Sequence, residues 1–246
     1  MPRFVVPYPR PRSLSDPFFD YSPEHLSGLL ATPDDKLQLN DFQSLLGTLP
    51  AGTYEESAYF LPLAFDYLFD HDDDALHLIT SLVWFASEYA TNLCQDGVLD
   101  FVRSELKQIL NVWTDKFTVI HFDADACREK GWGLQYDDYV EHSGAVIETT
   151  NDLDRCKVHD DLAISFYRDL AATEGDASKS AWFLECVRAH LEQKFSRPPK
   201  RPEIRQLLEN TELVMQHATF VRQMLPGFNN EPTYWRDVFS LLGIHT

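Results

Sequence analysis

The pairing of residue types most suited to chemistry is His159-Asp160, with His121 or His142 upstream and Asp237 far downstream. Imidazole and carboxylate ligands together suit a divalent transition metal or magnesium. A second candidate is Thr118-Val-Ile-His-Phe-Asp123-Ala-Asp125, an apolar stretch running into two carboxylates at alternate positions. A third is Asp70-His71-Asp72-Asp73-Asp74. It lacks the alternating ligands, the sixth-position Gly and the twelfth-position Glu of a calcium-binding loop. Capping of the next helix, where carboxylates meet the positive end of the dipole, explains that run with fewer assumptions. His159, Asp160 and Asp161 also open a helical stretch, where acids are expected without any metal. No Walker loop, GxSxG, HExxH or dinucleotide-binding fingerprint is present.

The alternative to catalysis is recognition. Residues 123–161 combine many acids, Asp152 and Asp154 among them, with Trp132, Tyr136 and Tyr139. Aromatic anchors inside a charged rim are what tight protein interfaces use. Trp132, Tyr136, Asp137, Asp138 and Glu141 are therefore the candidate partner-binding residues, with Asp72, Asp73 and Asp74 as a second patch. This reading assigns no catalytic residue, no metal and no cofactor.

The elements that must position these groups are mostly helical. Residues 1–22 form a Pro-rich arm, and Phe4, Tyr8, Phe18, Phe19 and Tyr21 suggest that it packs against the body. Helices are expected over 23–31 and about 40–48. Gly52 makes a turn, and Thr53 with Glu56 forms a capping box for a buried helix over about 54–69, kinked at Pro62. A stripe from Ala75 to Leu93 marks the next helix, which Asp96-Gly97 breaks. Val98, Val102, Leu106, Ile109, Leu110 and Trp113 mark the one after it. Short connections imply antiparallel neighbours, so 23–114 reads as an N-terminal helical bundle.

Residues 115–155 read as an acidic connection, partly irregular or carrying one short β-hairpin, because Thr118–Phe122 and Ala145–Thr149 are β-prone. Helical signals return over 157–173 and 177–195, then after the break at 196–202 over about 202–225 and 232–242. Residues 156–246 are either a second helical part or a continuation of the core of 23–114. The expected class is a mainly α multi-helix bundle.

Charge narrows the function. The 246 residues carry 39 acidic and 21 basic side chains, a net of −18. Residues 1–12 hold +3 and residues 193–246 hold +2, so 13–192 hold −23. Such a field repels nucleic-acid backbones and anionic membranes and accelerates capture of a basic protein. No apolar run approaches the roughly 18 residues of a membrane span, and MPRFVVPYPRPRSLS has no apolar signal-peptide core. Cys94, Cys127, Cys156 and Cys186 are widely spaced, as reduced thiols would be. A cytoplasmic location is expected.

Three resemblances follow from these residues. The run from Thr118 to Asp125 resembles the first motif of haloacid-dehalogenase-type phosphatases, which would make Asp123 a nucleophile and Asp125 an acid/base beside magnesium. The chain departs from that family at Cys127 and lacks its alternating strands and helices. The His159-Asp160 constellation resembles the metal pattern of HD-type phosphohydrolases, themselves all-α. Leu49 to Leu68, with Tyr59-Phe60-Leu61-Pro62 at its centre, is similar to helical segments of acidic bacterial immunity proteins, including those paired with type VI secretion effectors. That resemblance implies a cytoplasmic antitoxin for one cognate secreted toxin, a nuclease being one such toxin. An acidic DNA-mimic regulator would share the same acidic surface.

Overall fold

The computed structural model describes residues 3–70, 76–121, 150–154, 156, 160–191, 199–224 and 240. Among them are eleven α-helices and no strand. They are α1 (Pro23–Ala31), α2 (Leu39–Leu46), α3 (Tyr54–Ala58), α4 (Leu61–Asp70), α5 (Leu76–Glu88) and α6 (Ala90–Gln95). There follow α7 (Leu99–His121), α8 (Asp160–Ala171), α9 (Ala177–Leu191), α10 (Pro202–Leu208) and α11 (Thr211–Met224). The chain divides into two compact units, Met1–Leu106 and Lys107–Thr246.

In the first unit, α5 packs against α2, α4 and α6, and α2 against α3. Local chemistry sets the helix ends. Glu56 accepts the Thr53 N–H at 2.9 Å, closing the expected capping box at the start of α3. Gln38 and Asp41 form a second box on α2. Gly47 ends α2, where a Cβ would stand 2.4 Å from the Gln43 carbonyl oxygen. Gly97, with φ +72°, ends α6. The expected helix over 54–69 is two helices, not one kinked rod. Pro62 sits in the first turn of α4, where its missing N–H costs nothing, and Tyr59-Phe60 form the turn before it. The Ala75–Leu93 stripe is likewise divided at Tyr89, whose ring meets Phe85 at 4.8 Å and Tyr54 at 5.2 Å.

The N-terminal arm packs as expected through Phe4 and Tyr8, joined by Val6 and Leu14, but not through Phe18 and Phe19. Phe4, Val6 and Leu14 are buried, Phe4 lies edge-on to Phe65, and Tyr8 lies edge-on to Tyr54. Phe18 and Phe19 are exposed. Each buried side chain contributes at most about 1.5–3 kcal/mol, whereas half-exposed ion pairs contribute about 0–1. Burial, more than charge, holds the arm.

In the second unit, α9 packs against α8, α10 and α11, and α8 also packs against α10. Residues 180–189 of α9 are buried on every face, the mark of a central helix. The long helix expected over 202–225 is interrupted at Glu209-Asn210. Asn210 caps α11 by accepting the Leu213 N–H at 3.2 Å, a local bond that competes with helix continuation. The β-prone Thr118–His121 are helical, as the last turn of α7, and 150–154 are helical as well. β-propensity is weaker than the continuation of a helix already under way. The expected hairpin is not seen; residues 122–149 lie outside the described residues, as does all of 232–242 except residue 240.

Candidate functional site

Trp132, Tyr136, Asp137, Asp138, Glu141, Asp72, Asp73 and Asp74 all lie outside the described residues. So do His142, His159, Asp237, Asp123 and Asp125, and the side chains of His121 and Asp160. Among the described residues no group of three His, Cys, Asp or Glu side chains is placed to hold a metal ion. The apolar strand that would lead into Asp123 in a phosphatase is helical through His121. No described helix is long and apolar enough to cross a membrane.

The acidic surface of the first unit can be built from its parts. The unit contains 17 acidic and five basic residues, a net of −12, whereas the second unit carries −6. Four of those five cations lie within ion-pair distance of acids in the same unit. Arg3 meets Glu105 at 3.0 Å and Asp66 at 3.6 Å, and its guanidinium lies 3.4 Å from the centre of the Phe69 ring. Arg10 meets Asp34 at 3.3 Å and donates to the carbonyls of Leu30 and Thr32. Lys36 and Arg103 lie 3.9 Å from Asp35 and Asp100. The basic arm expected from the sequence is therefore neutralised largely by its own body. Asp20, Glu24, Glu55, Asp70, Glu88 and Asp100 remain exposed.

Three tyrosine–carboxylate hydrogen bonds hold two of this unit's acids, Asp96 and Asp34, in place. Tyr8 and Tyr54 donate to Asp96 at 3.2 and 2.6 Å, and Tyr59 donates to Asp34 at 2.5 Å. Burial raises the Tyr54 pKa and the Asp96 carboxylate adds to the effect, so Tyr54 stays a neutral donor. Burial also raises Asp66, with Arg3 acting in the opposite direction.

The second unit carries a buried polar seam that sequence reasoning missed. Asp152 and Asp154, assigned above to the acidic recognition stretch, are 4% and 2% exposed. Asp154 accepts the backbone N–H groups of Lys200 and Arg201, and its other oxygen lies 3.2 Å from the Arg201 guanidinium. Tyr167 on α8 donates to Asn151 at 3.0 Å. On α9, Arg188 is bound to Glu185, with its shortest bond at 2.8 Å and both side chains buried. His217 on α11 reaches the Ala171 carbonyl at 3.1 Å through Nε2 and the Ser180 hydroxyl at 3.0 Å through Nδ1. A carbonyl only accepts, so Nε2 carries the proton and Ser180 donates to Nδ1. This one histidine joins α8, α9 and α11.

The seam supplies structure rather than a poised nucleophile. Burial raises the Cys186 thiol pKa and Glu185 adds to it; burial also holds the Tyr167 hydroxyl well above its ordinary value. A thiol shifted in that direction is inert, since the thiolate is the reactive form. Comparison with family models, with curated proteins and with solved structures gave no match to this chain.

Proposed function

We propose that this chain is an immunity-type protein that binds a cognate secreted bacterial toxin and neutralises it by covering a basic active site with an acidic surface. One observation carries the reading: the first unit holds a net of −12 while four of its five cations are engaged by its own acids. Such a surface attracts a basic protein at long range and repels nucleic acid and anionic lipid. A toxin that acts on nucleic acid needs a basic cleft, and an acidic inhibitor can occupy that cleft by imitating the phosphate field. The resemblance around Leu49–Leu68 points to the same class of protein.

Co-expression with the product of the adjacent gene, which the proposal requires to be a secreted toxin, tests the reading. The expected outcome is relief of toxicity and co-purification of a stable complex. A neighbour that is not toxic, or one that is neither relieved nor bound, would end this reading. Recovery of a host DNA-binding protein in place of a toxin would favour a DNA-mimic regulator.

A further inference from the structure

The turn over 16–21 holds an aromatic ring in water against a conformational preference. Phe19 is 91% exposed and has φ +60°; Phe18 is 45% exposed, and Asp16 has φ +37°. In this region the Cβ of an L-residue crowds the backbone carbonyl, which is why Gly or Asn usually occupies it. Strain of this kind persists only where the surroundings impose it. Here they do. The buried Asp16 carboxylate accepts the N–H groups of Asp20 at 3.3 Å and Tyr21 at 3.1 Å. Phe19 N–H donates to the Asp16 carbonyl at 3.3 Å, and Asp16 N–H donates to the Ala51 carbonyl at 3.2 Å. The Tyr21 hydroxyl donates to the carbonyl of Leu49, itself 44% exposed. A turn that only reversed the chain would need neither the phenyl ring nor the strain.

We infer that this turn is the anchor by which the first unit engages its partner, Phe19 entering an apolar pocket while nearby acids meet the partner's cations. The inference rests on the binder reading above and adds the place and chemistry of contact. Charge decides the occupant. Asp20 and Glu24 are exposed on either side of Tyr21 in a unit of net −12, which complements a basic protein. A second copy of the chain and an anionic bilayer both carry the wrong sign. A backbone already held by these bonds loses little further freedom on binding, which lowers the cost of using its aromatic side chain as an anchor.

The test is a titration of the purified, full-length chain with the purified protein encoded beside it, for wild type and Phe19→Asn. Asparagine tolerates positive φ, so the variant removes the ring and relieves the strain. The expected result is a melting temperature at or above that of wild type with affinity weakened by about 30-fold or more. Binding of both proteins with equal affinity overturns the anchor and leaves the binder reading standing. Failure of wild type to bind removes the binder reading, and the inference with it. A concentration-dependent dimer that Phe19→Asn abolishes also overturns the inference, since the occupant would then be a second copy.

Discussion

Glu56 shows how much one side chain can do in this protein. It accepts the Thr53 N–H at 2.9 Å and also the Ser15 N–H and hydroxyl at 2.9 and 2.8 Å, so one carboxylate caps α3 and ties down the arm. Glu56→Ala should cost about 1–3 kcal/mol and expose the arm to proteolysis near Ser15, read by denaturant unfolding and limited digestion. Unchanged stability and digestion would show that the arm is held without this residue. The Thr53-Glu56 spacing was legible in the sequence; the long-range bond to Ser15 was not. His217 gives a second outcome at this scale. Burial lowers its pKa below the ordinary 6.5, with the bond to Ala171 opposing. As pH falls through about 6.5 the unfolded chain takes up a proton that the folded chain resists. Stability is therefore full above that pH and declines below it. His217→Gln should flatten the fall in melting temperature between about pH 7.5 and 5.5 relative to wild type.

Among the elements, α9 was the hardest to understand from the sequence. The expected helix over 177–195 contains α9, with 192–195 outside the described residues, but nothing local showed that Ser180, Glu185 and Arg188 would lie in a helix buried on every face. Only the packing of α8, α10 and α11 around it gives these polar groups partners and removes them from water. Arg188→Met alone should cost about 3–5 kcal/mol, because it strands a buried carboxylate. The double variant Glu185→Leu with Arg188→Met should lie closer to wild type than either single change, a coupling that a double-mutant cycle in urea measures. Pro62 and Asn210 mark the opposite case. Both residues signal a helix start, and reading them as a kink and as helix interior merged pairs of helices that the structure separates.

Across the whole molecule, charge is the property that reaches furthest. If the acidic first unit captures a basic partner by long-range attraction, association should slow steeply between about 0.05 and 0.5 M salt, where the Debye length shrinks from roughly 14 to 4 Å. Dissociation should change far less, since close contacts govern it. Stopped-flow association and dissociation rates measured across that range check this. An association rate indifferent to salt would remove electrostatic steering from the account.

The sequence by itself determined the helical class, the capping box at Thr53, the stop at Gly97, the apolar stripes and the acidic excess, because each depends on neighbours within a turn or two or on composition alone. Tertiary structure decided which charges act at the surface. It paired Arg3 and Arg10 with Asp66, Glu105 and Asp34, and it drew Asp152 and Asp154 into the second unit while leaving Phe19 in water. Those outcomes depend on contacts between residues tens of positions apart, and no local period or motif encodes them.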